Sequence, residues 1–295
     1  MYKMNYSCRV AILLAAYNGE QFLSEQLESI AGQAGVQLDI FVSVDLSADK
    51  TYELFQAQAA CDSRIHVLSY GERFGGAASN FYRLICEVDF SSYDFIAYAD
   101  QDDIWLPDKL KRACDVLRDG RADVYSSNVT AFWANGCEEL IDKAQPSRWL
   151  DYFFEAAGPG CTYVFKQGVM LELQKFVRTL PDHVKKEVLH DWLSYAFCRE
   201  RGYRWYIDPK PSVRYRQHAN NVVGTNNNWV AYKKRFALIR TKAYRKRVES
   251  LVGTVAPQRL ADISNRFFLL KNFMRLRRRK RDRYFLLLML LIGIY

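Results

Sequence analysis

The chain has 295 residues, 49% of them hydrophobic and 15% aromatic, so it can fill one large domain or two smaller ones and is too apolar for a disordered protein. Its net charge of +9 is unevenly spread: from Trp229 to Arg283 there are 18 Lys and Arg against three acids, which leaves a mildly acidic body ahead of a basic tail. Seven cysteines, each more than twenty residues from the next, give no CxxC or zinc spacing and suit a reducing cytoplasm.

The N-terminus enters a strand almost at once, without the apolar region of a signal peptide. The run Val10-Ala11-Ile12-Leu13-Leu14 predicts a buried strand over Arg9–Ala16. Tyr17-Asn18-Gly19 is a turn, and Phe22, Leu23, Gln26, Leu27 and Ile30 give the stripe of a helix over Glu20–Gln33. A second strand, Leu38–Val44, ends at Asp45, and Ser47 or Asp49 caps a helix through Ala60. Ile65–Leu68 is a third strand, Ala77–Glu87 a helix, and Phe95–Ala99 a fourth strand. Strands alternating with helices indicate a parallel, doubly wound sheet.

Beyond Leu117 the pattern changes. Asp123–Trp133 and Gly160–Phe165 read as longer strands, Gln167–Leu180 as a helix, and Asp191 as the start of another running to Arg201. Arg204–Ile207 and Ser212–Tyr215 are short strands. Gly224–Asn228 has the composition of a linker, which divides the chain into a domain over 1–224 and a basic helical extension over 225–295. No GxGxxG follows the first strand and no P-loop lysine is present, against a dinucleotide-binding or ATPase role.

Three strands end in polar residues: Ala16-Tyr17-Asn18, Asp45, and Asp100-Gln101-Asp102-Asp103. In a parallel sheet those ends converge on one rim, where ligands bind in open α/β folds. Three carboxylates within four positions repel one another and call for a cation or for full solvation. Oxygen donors without a neighbouring His or Cys suit Mg²⁺ or Mn²⁺, which shares its shell with substrate phosphates. The plain alternative is an acidic turn ahead of the helix that Pro107 opens.

Taken together, Ala16-Tyr17-Asn18-Gly19, Val42–Thr51, Asp100-Gln101-Asp102-Asp103-Ile104-Trp105, Gly160-Cys161-Thr162, His190-Asp191-Trp192 and Tyr215–Gly224 resemble the family 2 glycosyltransferases, in the rhamnosyltransferase-like branch of bacterial polysaccharide synthesis. The resemblance spans residues 10–224. It implies an α/β GT-A fold, a Rossmann-like and mostly parallel sheet flanked by helices, here with a basic α-helical C-terminal extension. It also implies inverting transfer of a sugar, with dTDP-rhamnose the suggested donor, to a polyprenyl-linked saccharide. By the same resemblance Ala15, Ala16, Tyr17 and Asp45 line the base pocket, Asp100 and Gln101 lie near the ribose or the second metal shell, Asp102 ligates Mg²⁺ or Mn²⁺, and Asp191 is the general base. Val44 and Leu46 depart from the pattern, standing in place of an acid and a glycine, and Ala219 stands where glycine is common.

Physical chemistry frames these roles. A cation on Asp102 stabilises charge growing on the leaving diphosphate, and a carboxylate at Asp191 can take the proton of the attacking hydroxyl. Asp191 can equally be a helix cap, worth ~1 kcal/mol. Trp192 offers a ring for a sugar face. A lone histidine is usually structural, the ordinary reading for His190, although its place beside Asp191 makes it an acceptor-side candidate. His218 is a candidate for the metal, and Arg216 for a bidentate phosphate contact.

In the tail, Trp229–Val252 and Arg259–Ile294 read as long helices. Arg277, Arg278, Arg279, Lys280 and Arg281 precede twelve uncharged residues containing Phe285 and Leu288. As a helix these twelve span ~18 Å at 1.5 Å per residue, short of a ~30 Å hydrocarbon core. The expected arrangement is therefore a cytoplasmic enzyme held on the inner membrane face, cations on anionic headgroups and apolar end inserted. A packed helix or an oligomer contact is the alternative. Basic aromatic helices also suit nucleic acid, but no recognised module appears and the apolar terminus has no use there, so no nucleic-acid partner is expected. A noncatalytic sugar-binding protein on the same fold is the remaining rival.

Overall fold

The computed structural model describes residues 8–218 and 243–295. The first half follows the apolar runs closely. Strands β1 (Arg9–Ala16), β2 (Gln37–Val44), β3 (Ile65–Val67) and β4 (Phe95–Asp100) alternate with helices α1 (Leu23–Ala31), α2 (Thr51–Cys61) and α3 (Ala77–Glu87). They pair in parallel in the order β3-β2-β1-β4. Because β1 and β4 are covered on both faces, β1 is apolar and buried from Val10 to Ala16, and β4 carries only the Tyr98 hydroxyl before Asp100. The edge of this half-sheet that faces the ligand-binding rim is where Tyr17, Asp45 and Asp100–Asp103 emerge.

The second half turns the sheet back on itself. Strand β5 (Ile104–Trp105) and helix α4 (Lys109–Arg118) lead into β6 (Val124–Trp133) and β7 (Glu138–Ile141), then β8 (Val164–Lys166), α5 (Gln167–Arg178), α6 (Asp182–Glu187), α7 (His190–Glu200) and β9 (Trp205–Gln217). β8 lies antiparallel between β4 and β6, β6 pairs in parallel with β9, and β9 pairs antiparallel with β5. Gly160–Phe165, expected as a strand, is instead a 3₁₀ turn at Gly160–Thr162 followed by the short β8. The two strands expected at 204–215 are one, β9; its register against β6 shifts between Ser127 and Val129, opposite the Asp208–Ser212 stretch that holds Pro209 and Pro211.

In the C-terminal part, α8 (Ala243–Val255) is followed by α9 (Leu260–Ser264), α10 (Arg266–Asn272) and α11 (Lys280–Ile292). The single helix expected over Arg259–Ile294 is broken because the Asn265 side chain accepts from Phe267 N and Phe268 N at 2.9 and 3.2 Å, ending one helix and capping the next. Gly293, in the left-handed conformation, terminates α11. Val248, Leu251, Ile263, Leu269, Leu286 and Met289 pack into the same apolar cluster as α3, α5 and α7. The expected linker at Gly224–Asn228, the 224/225 domain boundary, the start of the Trp229 helix and residues 219–224 of the last motif lie outside the described residues. Among the described residues, no helix is long and apolar enough to cross a membrane.

Candidate active site

At the rim the turn after β1 is stitched to the loop after β2. Asn18 N and Gly19 N donate to Ser47 Oγ and Thr51 Oγ1, while Asn18 Oδ1 accepts from Ala48 N at 2.8 Å. Asp49, rather than Ser47, accepts the first-turn N–H of α2 from Thr51. Asn80 of α3 ties the two strand ends by donating to Ala16 O and Ser43 O. Ala15 and Ala16 are buried, whereas the Tyr17 ring stands 47% exposed, free to lie against a planar ligand.

Two expected nucleotide contacts are already spoken for. The Gln101 amide accepts from Tyr17 N at 2.7 Å and donates to Tyr17 O at 2.8 Å. It lies so close that a Cβ on Gly19 would meet Gln101 Oε1 at 2.3 Å, so a side chain there would push the amide off Tyr17. Gln101 is thus a clamp on the rim turn rather than a group turned to the ribose. Asp45 is buried and accepts from Leu46 N, Phe74 N and Gly75 N at 2.8–2.9 Å. It organises the 71–76 loop around the pocket instead of presenting a bare carboxylate to a base.

The acidic turn divides into two kinds of carboxyl. Asp102 Oδ2 lies 2.7 Å from His218 Nε2, with side chains 14% and 23% exposed, so both are reachable from solvent. The β5–β9 register explains this meeting: Ile104 pairs with Arg214, so the end of β9 returns opposite Asp102. One carboxylate oxygen and one imidazole nitrogen, with Asp100 alongside, fit a divalent ion such as Mn²⁺ or Mg²⁺. Asp103 points inward. Its Oδ1 accepts from Arg216 N, its Oδ2 has no partner, and burial followed by the charges of Asp102 and Asp100 pushes its carboxyl well above the usual range. Asp100, Asp103 and the Cys161 thiol bring ligand atoms within 4.8 Å of one another. Burial and the neighbouring Asp102 and Asp191 charges push Asp100 up to about 7. Arg216 is anchored by donating to the Asp102 carbonyl at 2.8 Å and to Glu25, and it lies over the Phe22 and Phe132 rings. It therefore braces the Asp102 turn.

Across the site, Asp191 begins α7. Its Oδ1 accepts its neighbour's N–H, from Trp192 at 2.7 Å, and burial raises its pKa to about 6, with Lys143 pulling the other way. A Cβ on Gly160 would meet His190 Nε2 at 3.0 Å and Asp191 Cβ at 3.1 Å, so the Gly160 turn lets α7 approach the sheet. Two acceptor-side candidates are corrected. His190 is buried and stacked on Phe81 with centroids 3.8 Å apart; neither ring nitrogen has a partner, and burial lowers its pKa to about 3. Trp192 is 8% exposed, donates Nε1–H to Tyr152 O at 2.9 Å and stacks on Tyr244. Both pack α7 and offer no face to a sugar.

The basic run is split as well. Arg278, expected at headgroups, is fully buried and clamps Asp151 at 3.0 Å, the Ala156 carbonyl at 2.7 Å and Tyr195 OH at 3.1 Å. Arg277 donates to Tyr244 OH. Arg279 is half-buried, Lys280 and Arg281 are exposed, and Phe285 and Leu288 are 54% and 53% exposed. Residues that no local pattern signalled are Lys109 and Lys143. Lys109 is buried with Nζ 3.3 Å from the Trp105 ring centroid, and burial lowers its pKa to about 7. A lysine that opens a helix just after an acidic turn looks in sequence like any solvated charge.

A mostly parallel half-sheet that curls back through antiparallel strands, with helices against it, is the fold of the GT-A glycosyltransferases. The family model for glycosyl transferase family 2 matches residues 11–155. A dTDP-rhamnosyl transferase, RfbG of Shigella flexneri, is 45% identical over 290 residues, covering 96% of this chain and 100% of its own. The chain belongs to glycosyl transferase family 2 and is a nucleotide-sugar-dependent glycosyltransferase. A glucosyltransferase of Escherichia coli, WfgD, named for UDP-Glc and an α-D-GlcNAc-diphosphoundecaprenol acceptor, is 26% identical across 63% of this chain and 68% of its own. Among solved structures, S. aureus TarS 1–349 with UDP superposes with a TM-score of 0.59 at 14% identity, over 94% of this chain and 74% of that one. The mannosyltransferase PcManGT of Pyrobaculum calidifontis with GDP-Man and Mn²⁺ does so with 0.54 at 17% identity, over 99% and 82%. At those identities the structures speak for the fold.

Proposed function

We propose that the chain transfers rhamnose from dTDP-rhamnose, with inversion, to a lipid-diphosphate-linked saccharide during surface polysaccharide synthesis. The observation that carries this reading is the 45% identity to a dTDP-rhamnosyl transferase over nearly the whole of both chains. The lipid-linked acceptor draws support from the name of the E. coli relative. Asp102 and His218 would hold a Mg²⁺ or Mn²⁺ ion, which when bound supplies positive charge to the departing diphosphate. The Gln101–Tyr17 clamp and the Asp45-ordered loop fix the walls of the nucleotide pocket, leaving the Tyr17 ring for the base.

Asp191 serves as the general base: its raised pKa makes it a better proton acceptor than an ordinary carboxylate while leaving it ionised at neutral pH. It takes the proton from the acceptor hydroxyl as that oxygen attacks the anomeric carbon from the face opposite the diphosphate. Attack from that face accounts for inversion. The exposed stripe Tyr284, Phe285, Leu288, Leu291 and Ile292 on α11, with Lys280 and Arg281 beside it, would rest on an anionic bilayer. Thermal shift with dTDP-rhamnose, UDP-glucose and GDP-mannose, each with and without Mn²⁺, tests the donor. The largest stabilisation is expected for dTDP-rhamnose with Mn²⁺. A shift confined to another nucleotide, or none with any, overturns the assignment.

A further inference from the structure

A second group of charges lies beyond Asp191. The loop from Asp151 to Gly160 lines up three features in order. Glu155 accepts from Arg278 N, and Ala156 O accepts from Arg278 NH2 at 2.7 Å. Gly158 lies under Lys143, where a Cβ would meet Lys143 Cγ at 3.4 Å, and Gly160 lies against Asp191. The Arg277–Arg279 segment, Lys143 and Asp191 therefore occupy successive stations along one stretch of backbone. Asp100 and Asp191 act on each other electrostatically, as do Asp191 and Lys143, and Lys143 and the three arginines. Asp191 is thus in electrostatic reach of the acidic rim on the one hand and of Lys143 on the other.

Of these cations only Arg278 has a salt bridge among the described residues; Glu155 acts on Lys143 and Arg277, and Asp142 on Arg279, without one. Arg278 takes Asp151 and the backbone-held Glu155. Asp142 accepts from Asn128, Ala144 N and Gln145. Neither the Lys143 ammonium nor the Arg279 guanidinium makes a hydrogen bond or an ion pair among the described residues, and Arg277 Nε is buried without a partner. The backbone of Lys143 is fixed by donating to Asn128 Oδ1 at 2.6 Å, and its side chain passes Gly158. Burial lowers its pKa to about 8; Glu155 pulls the other way and the three arginines add to the fall, so the ammonium sits among more cations than anions make up for. Arg279 leads directly into α11, whose outer face carries Phe285, Leu288, Leu291 and Ile292.

We infer that Lys143, Arg277 and Arg279 form a subsite for the diphosphate of the acceptor, between the Asp191 carboxylate, where its sugar hydroxyl reacts, and the apolar face of α11, where its lipid chain lies. This inference rests on the lipid-linked acceptor of the proposed function. It accounts for why an apolar helix and cations without a salt bridge sit on the base side of the site: sugar, diphosphate and lipid follow one another in the acceptor as Asp191, the cations and α11 follow one another in the chain's fold. A diphosphate meets two or three cations with several charge-assisted hydrogen bonds, whereas a neutral saccharide gains nothing from them.

The test uses full-length protein and farnesyl diphosphate as probe, with farnesol as the uncharged control and dTDP with Mn²⁺ as the donor-side control. Wild type should bind farnesyl diphosphate at least tenfold more tightly than farnesol. The double variant Lys143→Gln, Arg279→Gln should lose at least tenfold for farnesyl diphosphate, with farnesol and dTDP affinities within twofold of wild type. Absence of a diphosphate preference in wild type, or full retention of it in the variant, overturns the subsite. A parallel loss of dTDP affinity assigns the cations to the donor and also overturns it. So does loss of binding to phosphatidylglycerol vesicles with unchanged farnesyl diphosphate affinity, which assigns them to the bilayer. If wild type binds farnesyl diphosphate selectively yet no nucleotide, the donor reading fails and the subsite stands.

Discussion

Arg278 should be the most expensive single side chain to remove outside the apolar core. It is fully buried, its partner Asp151 is fully buried, and together they join the C-terminal segment to the loop that seats Asp191. In Arg278→Ala, Asp151 keeps Arg199 at 3.2 Å and the Tyr195 hydroxyl at 2.9 Å but loses its buried counter-charge, and the Ala156 carbonyl loses its donor. Breaking one side of a buried pair costs ~3–5 kcal/mol, because the remaining charge stays desolvated. For a chain of this size that is a fall in Tm on the order of 10 °C. Arg278→Lys keeps the charge but not the planar fork, and should fall between wild type and Ala. Arg278→Met with Asp151→Leu, which removes both charges, should recover much of the loss. Differential scanning calorimetry reads the stability; trypsin reads the local effect, since release of this segment exposes Arg275, Arg277 and Arg279. A Tm change under ~2 °C in Arg278→Ala, with unaltered trypsin resistance, would refute the reasoning that this ion pair holds the extension in place.

Asp191→Asn should lower turnover by ~10²–10⁴-fold while leaving dTDP binding unchanged. Because burial has raised the folded pKa to about 6, the ionised carboxylate opposes folding above the unfolded value near 4, and that opposition fades as pH falls through 6. The Asn variant should therefore match or exceed wild type in Tm at pH 7.5, and a large drop would mark Asp191 as structural. In wild type the rate should fall about tenfold per pH unit below about 6, as the base is protonated; a flat profile from pH 7 to 5 removes Asp191 from that role. Gly19→Ala forces the Gln101 amide off Tyr17, since the new Cβ would lie 2.3 Å from Gln101 Oε1. Isothermal titration with dTDP should show weakened binding, with stability lower by ~1–3 kcal/mol from the stranded Tyr17 backbone groups. Phe285→Ser with Leu288→Ser should abolish flotation with anionic liposomes and barely move Tm, because both side chains are half exposed; undiminished flotation would leave the bilayer contact without its apolar part.

The rim of the sheet was legible because its logic is local. Apolar runs that stop at Tyr17, Asp45 and Asp100 announce parallel strand ends, and parallel ends share an edge. The meeting of Asp102 with His218 follows from the same edge once β9 returns beside β5. Side-chain allegiance within the rim was not legible. Asp45 and Gln101 stand where ligand contacts belong, yet both are spent on backbone N–H and C=O groups, because a rim turn with φ positive at Asn18 and a loop with Gly75 need internal partners before they can present anything to a ligand. His190 and Trp192 flank the base, and a histidine stacked on Phe81 is spelled the same way as one facing a sugar.

The basic run shows the limit in its sharpest form. Five consecutive cations read as one charged surface, but only Lys280 and Arg281 lie on it. The chain passes through Phe273–Arg279 as a 3₁₀ turn and an extended residue before α11 begins, so neighbours there need not share a helical face. Arg278 can then turn inward to Asp151, 127 positions away, while Arg279 stays beside Lys143. Nothing local distinguishes these arginines, since what sorts them is a pair of acids in a loop far upstream. The consequence bears on the proposed function: a run that looked like a uniform membrane patch divides into a buried clamp at Arg278, the cations Arg277 and Arg279 without a salt bridge, and an exposed pair next to the apolar stripe. A single deletion of the tail would remove all three at once, so point substitutions are needed to separate folding, acceptor binding and membrane attachment.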